Sequence, residues 1–217
     1  MNEFNEYRYF NAAAGHTEAY LWKPVLESLS KNCSATTTAT TSTSNRILDL
    51  GCGNGAFANH LHQLGYQTIG IDPSVSGIRC AKECWPQQEF HVGSAYDDLA
   101  STFGQFDAIV SLEVVEHVYA PREYIRSVFN ATRPGGSVFI STPFHGYWKN
   151  LCIAISGNGN QHYNPMWDHG HIKFWSMETL TKLLLEVGFV GVKFKFAGRF
   201  YPLWKSMIVI ATKPAEV

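Results

Sequence analysis

The feature that most constrains the fold is a glycine-rich bend that directly follows a short apolar run. Residues 46–55 read Arg-Ile-Leu-Asp-Leu-Gly-Cys-Gly-Asn-Gly, so Gly51, Gly53 and Gly55 occupy alternate positions. Glycine accepts a positive φ and allows another molecule to approach the main chain closely. Helical spacing resumes after Gly55, and the pattern therefore predicts a parallel strand that turns into a helix beside a ligand.

Two acids close to this bend indicate the kind of ligand. Asp49 lies two residues before Gly51, where a carboxylate would repel a pyrophosphate and attract an ammonium group. A dinucleotide fingerprint has the different spacing G-x-G-x-x-G and binds a pyrophosphate. Asp72 ends the next apolar strand, at a separation from which a carboxylate can accept both hydroxyls of a ribose. Together the acids describe a phosphate-free nucleoside with an amino-acid tail, and S-adenosylmethionine has that shape.

Four segments of the chain, in the expected order, resemble motifs of the class I S-adenosylmethionine-dependent methyltransferases. The similarity covers roughly Arg46 to Thr212, and Ser111–Val118 is similar to a segment of ubiquinone-pathway O-methyltransferases. The four segments are the bend Asp49–Gly55, the acid Asp72, the strand Phe106–Ser111 and the turn Arg133–Gly136.

The resemblance implies a fold, a cofactor and a set of binding residues. The fold is α/β, a doubly wound, seven-stranded and mostly parallel Rossmann-like sheet whose last strand is antiparallel. Short apolar strands that alternate with helices independently favour a parallel sheet covered on both faces. The cofactor is S-adenosyl-L-methionine, with S-adenosyl-L-homocysteine as product. The expected cofactor-binding residues are Asp49, Gly51, Cys52, Gly53, Asn54, Gly55, Asp72, Pro73, Ser94, Ala95, Ser111, Leu112 and Glu113.

The chain is expected to divide into two parts, residues 1–45 and residues 46–217. The first holds one or two helices and a Ser/Thr-rich linker, and the second is the methyltransferase domain. In the resembling family the N-terminal segment often folds over the cofactor, so Tyr9 or His16 could do so here. Residues 143–175 interrupt the alternation with many aromatic residues after the fifth strand, and we interpret them as an inserted substrate cap.

Composition excludes several classes of protein. The formal net charge is −1 and Lys and Arg form no run, so we expect no nucleic-acid partner. Five cysteines without paired C-x-x-C spacing favour reduced thiols rather than disulfides or a zinc site. We expect no secretory signal and no membrane-spanning segment, and therefore a cytoplasmic enzyme.

Three residues after the fourth strand carry the first set of catalytic candidates. Glu113, Glu116 and His117 are spaced i, i+3 and i+4, which places them on one face of any helical turn. They could hold a divalent cation that binds an acceptor oxygen, or His117 could be a general base oriented by Glu116. A capped helix start is the structural alternative. The sequence does not single out a set of metal ligands.

The cap supplies a second set of candidates, because it contains several histidines. His145 follows the fifth strand almost immediately, so the sheet should direct it into the pocket and make it a further candidate base. Asp168, His169 and His171 could bind a metal, but they also suit a polar loop. An aromatic, nearly neutral cap favours a small, partly apolar acceptor and methyl transfer to oxygen.

Other functions remain open from the sequence. They are methyl transfer to nitrogen or carbon on the same fold, a nicotinamide-dependent oxidoreductase, and a non-catalytic protein that binds S-adenosylmethionine. The oligomeric state is not indicated.

Overall fold

The structure is a computed structural model that describes residues 8–32 and 45–215. It contains a seven-stranded sheet in the order β3-β2-β1-β4-β5-β7-β6, and every strand is parallel to its neighbour except β7, which is antiparallel to β5 and β6. The predicted doubly wound, mostly parallel sheet with an antiparallel last strand is therefore confirmed. The strands are β1 (Arg46–Leu50), β2 (Gln67–Asp72), β3 (Glu89–Val92), β4 (Phe106–Leu112), β5 (Thr132–Pro143), β6 (Val190–Ala197) and β7 (Ser206–Thr212).

Helices connect the strands and cover both faces of the sheet. A π-helical turn, Glu18–Trp22, leads directly into the first α-helix. Local signals explain several helix ends: the Ser74 hydroxyl caps α3, and the left-handed Gly188 ends α8. No helix in the described ranges is long and apolar enough to cross a membrane. The helices are α1 (Lys23–Asn32), α2 (Ala56–Gln63), α3 (Val75–Cys84), α4 (Leu99–Phe103), α5 (Pro121–Ala131), α6 (Tyr147–Ser156), α7 (Gly159–His162) and α8 (Met177–Val187).

Two features depart from the predicted elements. The segment Arg133–Gly136, expected as a turn before the fifth strand, is a bulge inside β5, where the register with β4 shifts between Phe106 and Ala108. The second feature is the presence of α4, α6 and α7, which the sequence pattern does not indicate, since α4 and α7 are too short to establish a periodicity and α6 is apolar on most of its surface.

The core consists of two apolar layers, one on each face of the sheet. Alternate residues of a strand point to opposite faces, so Leu48 joins one layer and Ile47 the other. Three residues of the N-terminal helical segment, Leu21, Val25 and Leu29, are fully buried in the second layer. In the structure this segment thus packs on the sheet. The predicted Ser/Thr-rich linker, residues 34–44, lies outside the described residues.

The carboxyl ends of β1, β2, β4 and β5 meet at one edge of the sheet, which we call the ligand edge. Open α/β sheets bind ligands at such an edge, where the strand order reverses. Residues 144–176 leave β5 at this edge and contain α6 and α7. Tyr147 and Ile155 on α6 are largely exposed, and the role of this insertion as a substrate cap stays a prediction.

Packing behind the glycine bend makes a testable prediction about stability. Gly55 has φ +79, and a Cβ atom there would lie 2.7 Å from the Phe90 ring and 2.8 Å from the Ala81 Cβ. Gly55→Ala should therefore lower the free energy of unfolding by about 1–3 kcal/mol, through overpacking in addition to backbone strain. Urea unfolding measures the loss.

Gly65→Ala is the matched control for this substitution. Gly65 has φ +91 but meets no atom within 4 Å, so it carries the strain without the overpacking. Equal losses in the two variants would show that the packing behind Gly55 contributes nothing.

Candidate functional site

The glycine bend is held against the end of β2 by its own backbone. The N–H groups of Gly51 and Cys52 donate to the Ile71 carbonyl at 2.7 and 3.1 Å. The bend then enters α2 at Gly55 in a left-handed conformation. On its outer surface the Val114 side chain packs against Gly51 and the Tyr9 ring packs against Gly53, so only residues without a Cβ fit at these two positions.

Asp72 joins the bend to the loop after β2. One of its carboxylate oxygens accepts the Gly53 N–H and the other accepts the Ser74 N–H, each at 2.8 Å. The residue is 8% exposed and is followed by Pro73. The carboxylate is thus fixed at the position expected for a ribose-binding acid.

Asp49 is the second acid at the bend, and it is almost completely buried. Its Oδ2 atom has no hydrogen-bond partner among the described residues. Burial raises its pKa to about 7, and the charge of Asp72 adds to the increase, while the Ala58 N–H opposes it. Two neighbouring buried acids of this kind favour a cationic ligand.

The N-terminal segment lies over the bend, as the resemblance implied for such segments. The Tyr9 ring contacts the Cα side of Gly53, and the Tyr9 N–H donates to the Ser76 hydroxyl at 3.1 Å. The Asn54 amide donates to the carbonyls of Asn11 and Ala13 at 2.9 and 2.8 Å. Tyr9, rather than the exposed His16, therefore occupies this position.

The loop after β3 contains Ser94 and Ala95, which were predicted to read the adenine. The Ser94 hydroxyl accepts the N–H of Tyr96 at 3.2 Å, and the Ser94 N–H donates to Asp97 at 2.7 Å. Ser94 therefore already serves as a turn residue. An adenine contact by Ser94 or Ala95 stays a prediction.

Glu113 corrects the prediction of a shared helical face. Residues 113–117, directly after β4, are not helical: Glu113 has φ +56, in the left-handed region, and a turn occupies residues 115–117. The Glu113 carboxylate accepts hydroxyl hydrogens from Ser141 at 2.7 Å and Ser206 at 3.3 Å. The prediction that Glu113 shares a helical face with Glu116 and His117 is wrong, because it requires a helical backbone. The carboxylate of Glu113 is hydrogen-bonded to β5 and β7 instead.

Ser111 and Leu112 end β4 beside the bend. The Ser111 hydroxyl donates to the Leu50 carbonyl at 2.8 Å, which joins β4 to β1 just before Gly51. These residues lie where contact with the tail of a cofactor was predicted.

Glu116, His117 and His171 form a cluster in which one ligand atom from each residue lies within 4.8 Å of the others. Glu116 is fully buried, and neither carboxylate oxygen has a hydrogen-bond partner among the described residues. Burial raises the pKa of Glu116 well above its usual value, and the charge of Glu113 raises it further. The Glu116 Oε1 atom is 3.9 Å from His171 Nε2.

Both imidazoles of the cluster are held in the neutral form. Burial lowers the pKa of His117, and burial together with the charge of His117 lowers that of His171 to about 4. His117 Nδ1 lies 2.7 Å from the His169 carbonyl and 3.2 Å from that of Gly170. The carbonyls therefore orient the ring and leave Nε2 as a potential metal ligand.

The end of the insertion is bonded to the loop that carries Glu116. The N–H groups of Ile172 and Lys173 donate to the Glu116 carbonyl at 2.9 and 3.0 Å, and the Trp175 indole donates to the Val115 carbonyl at 3.0 Å. This pairing brings His171 to the cluster. From the sequence, His171 is a possible metal ligand together with Asp168 and His169, but not with Glu116, since no local spacing relates His171 to Glu116.

His145 lies beside the cluster, just beyond β5. Its ring packs between Phe174 and Tyr163, with ring centroids 5.2 and 6.0 Å away. Burial lowers its pKa to about 4, and the charge of Lys149 adds to the decrease. That the sheet directs His145 into the pocket, and that His145 acts as a base, stay predictions.

Comparisons with known proteins identify the fold and the family. A family model described as a methyltransferase domain matches residues 15–193. A ubiquinone biosynthesis O-methyltransferase from Bradyrhizobium diazoefficiens is 34% identical over 65% of this chain, and one from Aromatoleum aromaticum is 28% identical over 66%. The chain spans only 56% and 63% of the length of these two relatives.

A solved structure agrees with the fold. The magnesium protoporphyrin IX methyltransferase of Synechocystis PCC 6803, determined with bound SAH, aligns with a TM-score of 0.66. The alignment covers 91% of this chain and 83% of that protein at 17% identity, so the likeness concerns the fold alone. The predicted resemblance to this class of methyltransferases is confirmed.

The buried Asp49 leads to a prediction about stability and pH. Its pKa is about 7 in the folded protein and 3.8 in the unfolded chain, so the folded state binds the proton more tightly. Stability is therefore lost as the pH rises toward and through 7. In the ligand-free protein, Asp49→Asn should raise the free energy of unfolding at pH 8 by an amount on the order of a few kcal/mol, and by less at pH 5.

Urea unfolding at several pH values measures this gain. Asp98→Asn is the control, because Asp98 is an exposed helix cap whose pKa is lowered by Ser101. That variant should show no gain at pH 8. A gain for Asp49→Asn that does not increase with pH would contradict the assignment.

Proposed function

We propose that this chain, which belongs to the methyltransferase domain family, transfers a methyl group from S-adenosylmethionine to a hydroxyl oxygen of a small, partly apolar acceptor. One observation carries the proposal: the same sheet edge carries an acid-flanked glycine bend and, in the loop after β4, a fully buried acid, Glu116, clustered with two neutral imidazoles. The glycine bend and its acids suit the methyl donor, and Glu116 with the two imidazoles suits an acceptor hydroxyl that must lose its proton.

The acids at the bend would bind the two ends of the donor. Asp72, at the end of β2, would accept the ribose hydroxyls. Asp49 would attract the ammonium group, which favours its ionised form and removes the cost of burying it unpaired. The bend residues Gly51, Cys52, Gly53, Asn54 and Gly55, the loop residues Pro73, Ser94 and Ala95, and the β4 residues Ser111, Leu112 and Glu113 would line the rest of the site.

Placement is the main contribution of the protein to this reaction. The sulfonium of S-adenosylmethionine, when bound, supplies an activated methyl group. The sheet edge would hold the acceptor oxygen in line with that methyl group, and such placement can contribute effective molarities of about 10⁵ M or more.

The cluster of Glu116, His117 and His171 would bind the acceptor oxygen through a divalent cation. One carboxylate and two neutral imidazoles suit a transition-metal ion such as Mn²⁺, Fe²⁺ or Zn²⁺ better than Mg²⁺, which prefers oxygen ligands. A bound cation would also satisfy the unpaired Glu116 oxygens and favour the ionised form of the acceptor hydroxyl. His145 would then be the base that accepts the released proton.

Oxygen is the favoured acceptor atom for a chemical reason. A neutral amine needs no base and no metal, so an N-methyltransferase would gain little from a buried acid beside two neutral imidazoles. The names of the curated relatives, which are O-methyltransferases, support the same choice. Methyl transfer to nitrogen or carbon and a non-catalytic binding protein are the alternatives.

Asp72→Asn tests the cofactor assignment. An amide keeps the shape and one acceptor oxygen but loses the charge-assisted hydrogen bonds to the ribose, so the affinity for S-adenosylhomocysteine should fall about 10- to 100-fold. Calorimetry measures the affinity, and a melting curve checks folding. Binding of NADH by the wild-type protein in preference to S-adenosylhomocysteine would refute the assignment.

His171→Ala tests the metal cluster. The affinity for Mn²⁺ or Zn²⁺, measured by calorimetry on the protein saturated with S-adenosylhomocysteine, should fall at least about 100-fold with the loss of one of three ligands. Methyl transfer to catechol should fall with it, while the affinity for S-adenosylhomocysteine should not change. His62→Ala, on the exposed side of α2, is the matched control.

His145→Gln separates the base from the metal ligands. It should lower the rate of methyl transfer about 10²-fold or more and leave the metal affinity unchanged. Unchanged metal affinity in His171→Ala would instead exclude the cluster as a metal site.

A further inference from the structure

Glu113 is a partly buried acid at the ligand edge that the proposed reaction uses only as a lining residue. Its carboxylate accepts hydroxyl hydrogens from Ser141 and Ser206, and its N–H donates to the Ser141 hydroxyl at 2.9 Å. The residue has φ +56, a conformation that is costly for a residue with a Cβ atom. Strained backbone of this kind persists where the surroundings hold it, and it is concentrated at functional sites.

A chain of hydrogen bonds reaches Glu113 from the N-terminal segment. The hydroxyl oxygens of Tyr20 and Ser206 are 3.4 Å apart, and Ser206 is almost completely buried. Since the single hydroxyl hydrogen of Ser206 is donated to Glu113, Tyr20 donates to Ser206. Burial raises the pKa of Tyr20, which keeps that hydroxyl protonated. The chain therefore runs from Tyr20 through Ser206 to the carboxylate, and it fixes the direction in which Ser206 donates.

An irregular helical turn holds Tyr20 in this position. Glu18–Trp22 form a π-helical turn, a rare element that occurs frequently at functional sites. The Lys205 ammonium lies 4.8 Å from the centre of the Tyr20 ring. A Cβ atom at Gly198 would lie 3.0 Å from the same ring, so the ring is packed closely against the chain that follows β6. These contacts orient the Tyr20 hydroxyl toward Ser206.

Glu113 lies between the proposed donor and acceptor sites. It directly follows Leu112 at the end of β4, and β4 is the neighbour of β1, which leads into the glycine bend. Its charge raises the pKa of Glu116, so the two carboxylates are close enough to interact. In the proposed function the donor is bound at the bend, and its methyl group is directed to an acceptor at Glu116. The sulfonium of the donor would then lie near Glu113.

No neighbouring cation neutralises the charge of Glu113. Among the residues that the structure describes, no lysine or arginine nitrogen lies within 4.0 Å of its carboxylate, and Lys149 acts on it only from farther away. Burial raises the pKa of Glu113 to about 7, so most of the carboxyl group is ionised at pH 8. Its hydroxyl partners are neutral, and its negative charge is therefore available to a cationic ligand.

We propose that Glu113, positioned by Tyr20 through Ser206, distinguishes the sulfonium of S-adenosylmethionine from the neutral thioether of the product. The inference rests on the proposed function, because it requires the donor to be bound at the glycine bend. Asp49 and Asp72 would face the ammonium group and the ribose, which donor and product share. The sulfonium alone loses its positive charge when the methyl group leaves. The attraction to Glu113 is therefore present before the transfer and absent after it, which favours the exchange of product for new donor.

Calorimetry with S-adenosylmethionine and S-adenosylhomocysteine tests this assignment at pH 8, without added metal and without an acceptor. The measured quantity is the dissociation constant of the product divided by that of the donor. Glu113→Gln should lower this ratio about 10-fold, because the amide keeps the shape of the side chain but loses its charge. Tyr20→Phe should lower it about 3-fold, because the phenyl ring keeps the packing but removes the hydrogen bond that directs Ser206.

Two substitutions of exposed residues are the matched controls. Glu83→Gln, on the exposed side of α3, removes the same charge, and Tyr201→Phe, in the loop after β6, removes a largely exposed hydroxyl. Neither should change the ratio. A double variant completes the test: added to Glu113→Gln, Tyr20→Phe should have no further effect on the ratio, because its role depends on the carboxylate.

The outcomes separate this inference from the proposed function. A ratio that Glu113→Gln leaves unchanged, or that Glu83→Gln lowers equally, would overturn the role of Glu113. Tyr20→Phe weakening both ligands by the same factor would overturn the positioning role of Tyr20. A wild-type protein that binds neither ligand would overturn the inference and the proposed function together. A ratio that depends on Glu113, together with no methyl transfer to catechol, would support the inference and count against the proposed reaction.

Discussion

The ligand edge of this protein depends on the carboxylate of Asp72. Its two oxygens accept N–H groups from two different loops, the glycine bend and the turn after β2. Without it, the Gly53 and Ser74 N–H groups would lose their charged partner at a site from which water is largely excluded. This contact, together with the bonds from the Gly51 and Cys52 N–H groups to the Ile71 carbonyl, fixes the bend against the end of β2.

Several acids are buried close to one another at this edge, and this arrangement is costly without a ligand. Asp49 and Asp72 lie on one side of β4, and Glu113 and Glu116 lie beyond its end; burial raises the pKa of Asp49, Glu113 and Glu116. Buried acids whose charge is uncompensated lower stability near neutral pH. A cationic donor at the first pair and a cation at Glu116 would relieve that cost, so binding and stability are coupled through the same residues.

The insertion after β5 has two parts with different roles. Its final residues are bonded through Ile172, Lys173 and Trp175 to the loop that carries Glu116. Its first part, α6, is attached less extensively and exposes Tyr147 and Ile155.

Much of the sheet and the whole glycine bend could be predicted from the sequence, because the sequence signals for them are local. The glycines at alternate positions, the acids at strand ends and the alternation of apolar runs with helical spacing indicated a parallel sheet, the bend and the positions of Asp49 and Asp72. The number of strands and the antiparallel last strand were implied by the resemblance to the methyltransferase family. Each signal acts through the backbone within a few residues. These parts of the fold are therefore predictable from the amino-acid sequence.

The arrangement of Glu113, Glu116 and His171 depends on tertiary structure alone. Glu113 does not share a helical face with Glu116 and His117, because its backbone is left-handed and its carboxylate is hydrogen-bonded to β5 and β7. His171 joins Glu116 because two backbone hydrogen bonds pair segments more than fifty residues apart. The sequence by itself determined the glycine bend with Asp49 and Asp72, because these features depend on residues close together in the chain. Only the folded chain brings Glu116 and His171 together, because no local pattern relates them.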